Sequence, residues 1–231
     1  KVKFLQAEKL FNKYKNKLAE NRQGKKIEFQ YLDAHYARRK EISKYINLQH
    51  DVIDLGCGEG YYSMFFAKKL KDGKCIYAID IDEEQRKFVA VKAKNKELDN
   101  IIIFESIDNF VSSENFFKEK KYDVILTEVI EHMSIEDART LINKILDTIN
   151  INSFIITTPN ATFNKNYVDL FGNENGMRHP DHKFEMTTEE FNKFMDDIFD
   201  KKQHAYSYRF VKIGDCVDDE SLTNSVVITK Q

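Results

Sequence analysis

The sequence predicts an α/β fold, a mostly parallel sheet with helices on both faces. Two observations carry that prediction. Short apolar runs alternate with helix-length amphipathic stretches between residues 51 and 157, and the first run ends in a glycine-rich turn followed by a helical pattern. Strands are expected at 51–55, 75–79, 101–104, 122–127 and 153–157, because these four- to six-residue runs are rich in Ile, Val, Tyr and Phe. Helices are expected between them at 60–70, 83–96, 108–118 and 136–148. Ahead of this alternation, Phe4, Leu5, Leu10, Phe11, Tyr14 and Leu18 recur at helical spacing and predict a helix over 3–20, with Gly24 interrupting the pattern. A second helix is expected over 33–46, burying Tyr36, Ile42, Tyr45 and Ile46. Pro159 stops the fifth strand because it has no ladder donor. A polar segment runs on to about 187, too long for an idle connection. Thr187-Thr188-Glu189-Glu190 then reads as a helix start leading into Phe191–Phe199. Segments near 204–213 and 224–229 close the sheet as a strand pair, making seven strands.

The chain has 231 residues, 42% hydrophobic and 32% charged, enough for one domain with a full core. Residue 1 is Lys, not Met, so the chain is expected to be a trimmed piece of a longer protein. No apolar run approaches eighteen residues, and no membrane association is expected. Cys57, Cys75 and Cys216 are an odd set at unrelated spacings, which suits a reducing, cytoplasmic compartment and argues against a disulfide frame or zinc knuckle. Residues 1–50 hold 13 Lys+Arg against 5 Asp+Glu, so a net +8 precedes a body that carries −10 of the overall −2. Such an arm is either a handle for a phosphate backbone or a solvated lysine-rich helix. The division expected is a basic helical extension at 1–29 and a catalytic domain at 30–231.

Two clusters carry chemistry. Glu128, Glu131 and His132 stand at i, i+3 and i+4 just after the fourth strand, and on a helical turn they share one face. That is a divalent-metal half-site, which the second histidine segment, Arg178-His179-Pro180-Asp181-His182-Lys183-Phe184-Glu185, can complete. Singly, the two glutamates read equally as surface carboxylates near a helix start, and His132 as structural. The other cluster is Asp54-Leu55-Gly56-Cys57-Gly58-Glu59-Gly60, a strand entering a Gly-x-Gly-x-Gly turn. Glycines let the backbone take positive φ and approach a ligand closely. The spacing departs from the dinucleotide fingerprint, and an acid at the strand end suits a ligand carrying an amino group and a sulfonium. Asp80, about 22 residues past Gly58 at the end of the second run, is placed to hold ribose hydroxyls, or else to cap the helix at 83–96.

The glycine-rich turn with Asp80 resembles the first motifs of class I S-adenosylmethionine-dependent methyltransferases, whose Rossmann-like fold has a mostly parallel seven-stranded sheet. Glu128-x-x-Glu131-His132, Thr158-Pro159-Asn160-x-x-Phe163-Asn164 and Asp181-His182-Lys183-Phe184-Glu185 further resemble the small-RNA 3′-terminal ribose 2′-O-methyltransferase family, over roughly residues 30–200 and in the family's order. The resemblance implies donor contacts at Asp54, Gly56, Gly58, Asp80 and, against the adenine, Ser106. It implies Mg²⁺ or Mn²⁺ held by Glu128, Glu131, His132 and His182. Tyr36-Ala37-Arg38-Arg39 resembles the family segment that brings a basic residue to the RNA end, so Arg38 and Arg39, together with Arg178, are expected at phosphates. Met186 departs from the family, which usually has Trp there, and the chain has no Trp.

The reaction implied is methyl transfer from S-adenosylmethionine to the 2′-hydroxyl of the 3′-terminal nucleotide of an RNA with a free 2′,3′-diol, protecting that end. His132, His179 and His182 are the imidazoles expected at the reaction centre, with His132 and His179 both open as proton acceptor and His179 equally readable as a plain loop residue. Delivery of the RNA by a partner protein or a further domain is expected, and a monomer. Three rival readings differ in class: a methyltransferase acting on a small molecule or protein, a noncatalytic RNA-end-binding subunit, and a metal hydrolase. The last leaves the donor turn without a purpose.

Overall fold

The computed structural model describes residues 27–164, 176–200, 205–214, 216–217 and 220–230. Helix α1 (Ile27–Ile42) leads into β1 (Asp51–Leu55), α2 (Tyr61–Ala67), β2 (Ile76–Ile79), α3 (Glu83–Asn95), β3 (Ile101–Phe104), α4 (Ile107–Val111) and β4 (Tyr122–Thr127). A 3₁₀ turn (Ile130–His132), α5 (Ile135–Thr148), β5 (Ile151–Pro159), a second 3₁₀ turn (Ala161–Phe163) and α6 (Thr188–Phe199) follow. Strand β6 (Tyr206–Phe210), the short β7 (Cys216–Val217) and β8 (Glu220–Ser221), and β9 (Thr223–Lys230) complete the order.

Seven strands form one sheet in the order β3-β2-β1-β4-β5-β9-β6. The first five are parallel, and β9 runs antiparallel to both β5 and β6. The order turns outward on either side of β1 and β4, which makes their carboxyl ends the crevice where ligands bind in an open α/β sheet. Side-chain alternation explains why both faces are covered. Val52, Ile125, Ile155 and Val227 pack with Ile42, Ile46, Tyr62 and Phe66 on one face. Ile53, Val124, Leu126, Phe154 and Ile156 point the other way, onto Ile142, Ile145, Phe191 and Met195.

Local chemistry sets the element ends. Helix α6 begins with a capping box in which Thr187 and Glu190 satisfy each other's backbone N–H, and Ser134 caps α5 by accepting from the Asp137 N–H. The strands, α5 and α6 match the sequence pattern within a few residues. Three readings are corrected, and one hairpin is added. Helix α1 ends at Ile42 rather than 46. The helix expected over 108–118 stops at Val111, where Ser112 is the C-cap and the Ser113 hydroxyl donates to the Phe110 carbonyl at 2.7 Å, an alternative partner that competes with helix continuation. Tyr36, expected in the core, is 53% exposed. The hairpin of β7 and β8 was not anticipated. The helix expected over 3–20 lies outside the described residues. Among the described residues, no helix is long and apolar enough to cross a membrane.

Candidate active site

The turn after β1 is built by backbone. Gly56, Gly58 and Gly60 all have positive φ, at 71°, 50° and 72°. A Cβ on Gly56 would overlap the Val129 side chain, so this glycine lets the turn pack against the segment carrying Glu128 and Glu131. A Cβ on Gly58 would meet nothing within 4 Å, leaving an open face over the turn. Asp80 Oδ2 accepts the Gly58 N–H at 2.7 Å and Oδ1 accepts the Asp82 N–H at 2.9 Å. The N-cap of α3 is Asp82, not Asp80, so the capping alternative for Asp80 falls away. Asp54 lies beneath the turn, 2% exposed, with Oδ2 accepting from Ser63 Oγ at 2.5 Å. Burial raises its carboxyl to about 6, against the lowering effect of Ser63 and with a further push from Asp80. Ser106 is half-buried and caps α4, its Oγ accepting the Asn109 N–H at 3.1 Å.

The acidic cluster sits across β4 and β5. Glu128 adopts φ +54°, uncommon for a residue with a side chain. Its N–H donates to the Thr157 carbonyl at 2.8 Å, and its Oε1 accepts from Thr157 Oγ1 at 3.0 Å. Glu131 is fully buried, with Oε2 accepting from Thr158 Oγ1 at 2.9 Å and Oε1 lacking any partner. Burial, reinforced by the neighbouring Glu128 charge, pushes the Glu131 carboxyl well above the usual carboxylate range. A proton, a water or a cation would satisfy such a buried oxygen.

Residues that could supply the rest of a cation site converge there. Lys183 donates its backbone N–H to the Glu131 carbonyl at 2.7 Å, which pins the distant His182 segment beside Glu131. Glu131, His132 and His182 each offer one ligand atom, all within 4.8 Å of one another. The His132 and His182 rings stand nearly perpendicular at 4.7 Å between centroids, and His179 completes a cluster 5.5 Å from His182. Burial and the nearby His182 and His179 lower the His132 pKa, favouring the neutral imidazole that ligates metals. His182 Nδ1 is hydrogen-bonded to the Glu185 carboxylate, leaving Nε2 for a ligand. Burial alone would raise the Glu185 carboxyl, but hydrogen bonds from His182, the Arg178 N–H and Asn164 hold it below the ordinary range.

Thus three of the four expected metal ligands meet, and Glu128 stands apart, its Oε2 paired with Arg38 Nη1 at 2.8 Å. The expectations for the arginines are revised. Arg38 is 6% exposed, because its guanidinium neutralises Glu128 within the fold. Arg178 donates Nη2 to the carbonyls of Asn160 and Leu222, each at 2.7 Å, and so clamps the histidine segment to β5 and the turn before β9. Arg39 is laid across aromatic rings, 4.4 Å from the Phe65 centroid. Met186 is buried in the main core. Sequence reasoning gave no role to Glu185, Thr157 or Thr158. The i, i+3 spacing of His182 and Glu185 was the available signal for the first.

A seven-stranded sheet of this order, with a glycine-rich turn after β1 and an acid after β2, defines the Rossmann-like class I methyltransferase fold. Residues 47–213 match the family described as a methyltransferase domain, and the chain belongs to that family. It is similar to the small RNA 2′-O-methyltransferase of Arabidopsis thaliana, 29% identical over 180 residues, 71% of this chain and 18% of that protein. The protein of the same name from Caenorhabditis elegans is 36% identical over 76 residues, 32% of this chain and 16% of the relative. Among solved structures, a chain of the Pnkp1/Rnl/Hen1 RNA repair complex superposes with a TM-score of 0.67 at 30% identity, over 85% of this chain and 41% of that one. The chain therefore spans less than a fifth of the length of both curated relatives.

Proposed function

We propose that this chain transfers a methyl group from S-adenosylmethionine to the 2′-hydroxyl of the 3′-terminal nucleotide of an RNA, using Mg²⁺ or Mn²⁺. The observation that carries the reading is the buried Glu131 carboxylate, with an unpartnered oxygen, grouped with His132 and His182 beside a donor turn. Glu131, His132 and His182 would hold the ion, with Glu128 as a fourth ligand if it leaves Arg38. A divalent ion held there would supply positive charge that favours ionisation of a nearby substrate hydroxyl.

The chain's own residues account for the rest. The open face above Gly58 would receive the donor, Asp80 would take its ribose hydroxyls, and Ser106, two residues past β3, would face the adenine. Asp54 acts from below, holding β1 to α2 through Ser63. Glu185 orients the His182 ring. The Asp181 N–H lies 3.3 Å from His179 Nδ1, and the Asp181 carboxylate lies 3.6 Å from the same nitrogen. The adjacent 2′ and 3′ hydroxyls occur together only at an unblocked 3′ end, so a site that engages both selects that end without reading a base. Methylation then removes the free 2′-hydroxyl and protects the end.

The test is transfer of labelled methyl groups from S-adenosylmethionine, with Mn²⁺, to RNAs ending in a diol, a 2′-deoxy sugar or a 3′-phosphate. Label is expected on the diol alone and should vanish with chelator. Equal labelling of blocked ends, or labelling of a protein or small amine instead, would overturn the reading.

A further inference from the structure

Two large aromatic side chains beside the site are left open to water, Tyr36 on α1 at 53% exposure and Tyr61 at the start of α2 at 37%. They do not stand alone. The Arg39 guanidinium carbon lies 5.3 Å from the Tyr36 ring centroid, 5.3 Å from that of Tyr61 and 4.4 Å from that of Phe65. Lys69 Nζ sits 4.8 Å from the Phe65 centroid. The patch thus combines exposed rings with cations that hold them in place.

Side-chain contacts link the patch to Glu128. The His35 ring packs 5.4 Å from that of Tyr61, and His35 Nδ1 lies 3.3 Å from Arg38 Nη2. Arg38 in turn pairs with Glu128. Tyr61 also follows directly on Gly60, so the patch borders the glycine-rich turn as well.

We propose that Tyr61 and Tyr36, braced by Arg39, form a stacking platform for the unpaired bases that precede the 3′-terminal nucleotide of the substrate RNA. Single-stranded nucleic acid is recognised by aromatic faces interleaved with cations, since every base has a π-face to stack and every linkage a negative charge. An apolar protein partner fits poorly, because among the described residues the patch offers two phenols and two cations. The platform also gives Arg39 a role that its expected phosphate contact did not capture. It rests on the RNA reading above.

The experiment measures equilibrium binding of a short single-stranded RNA, intact or with an abasic penultimate nucleotide, to the full chain. It uses the wild type, Tyr36→Ala/Tyr61→Ala and Tyr36→Phe/Tyr61→Phe. Removing the base should weaken wild-type binding about tenfold, and the alanine pair should weaken intact RNA by about the same factor. The two changes together should add little, because they delete the same contact. The phenylalanine pair should bind as the wild type does, which separates stacking from a general loss of structure. Additive losses, or no dependence on the base, would overturn the platform. Methyl transfer by the wild type is followed in parallel. Transfer to the diol end with additive losses sinks the platform alone, whereas coupled losses without transfer sink the methylation reading and leave the platform standing.

Discussion

The donor half and the metal half of the site are built in opposite ways. The donor half is backbone: three glycines at positive φ and one carboxylate that accepts two main-chain N–H groups, all on consecutive elements. The metal half is buried charge. Glu128 is matched by Arg38, Glu131 keeps an oxygen unmatched, and His182 arrives from some fifty residues away on a segment held by the Lys183 N–H and the Arg178 clamp. One half is therefore set by local conformation, while the other depends on long-range contacts and, under the proposal above, would be completed by a cation. The two are joined where Gly56 packs against Val129.

This contrast can be broken or sharpened by substitution. The largest effect is expected from Arg38→Ala, which strips a buried counter-charge from the metal half. Urea unfolding should show a loss of about 3 kcal/mol, and a loss below about 1 kcal/mol would mean that the pair does not hold that half together. Next is Asp54→Asn under the donor half. The native state raises this carboxyl from 3.8 to about 6, so the folded protein binds that proton more tightly than the unfolded chain does. Stability from this group is thus greatest below the unfolded value and falls as pH rises through the native one, by about 2–3 kcal/mol between pH 4 and 8. The Asn variant should lack that component in denaturation curves across this range. Asp80→Ala should weaken S-adenosylmethionine binding about ten- to hundredfold by calorimetry while leaving Mn²⁺ affinity in place. Glu185→Gln should do the reverse on a smaller scale, weakening Mn²⁺ about tenfold through the His182 ring it orients.

The same contrast explains what the sequence could disclose. The five parallel strands, the glycine turn and Asp80 were legible because each is written in a short window: apolar runs, glycines needing positive φ, an acid at a strand end. Glu131, His132 and His182 were legible as residue types in a recurring pattern, and the fold brings them together. The pairing of Glu128 with Arg38 was not, since nothing local marks which of two adjacent arginines turns inward. Arg178 was expected at a phosphate, and its inward role was hidden because its partners are backbone carbonyls of Asn160 and Leu222, groups every residue carries. Tyr36 was expected in the core on helical periodicity alone, which cannot tell a buried face from an exposed one. The early stop of α4 came from Ser112 and Ser113, whose competition with the helix is decided by context.

The most direct test of the separation between the halves is His182→Ala, read by electron paramagnetic resonance of Mn²⁺ and by calorimetry of S-adenosylmethionine on the same preparation. The account predicts that high-affinity Mn²⁺ binding disappears while donor affinity stays within about twofold, a change of about 0.4 kcal/mol. Loss of both, or undiminished Mn²⁺ binding, would contradict it.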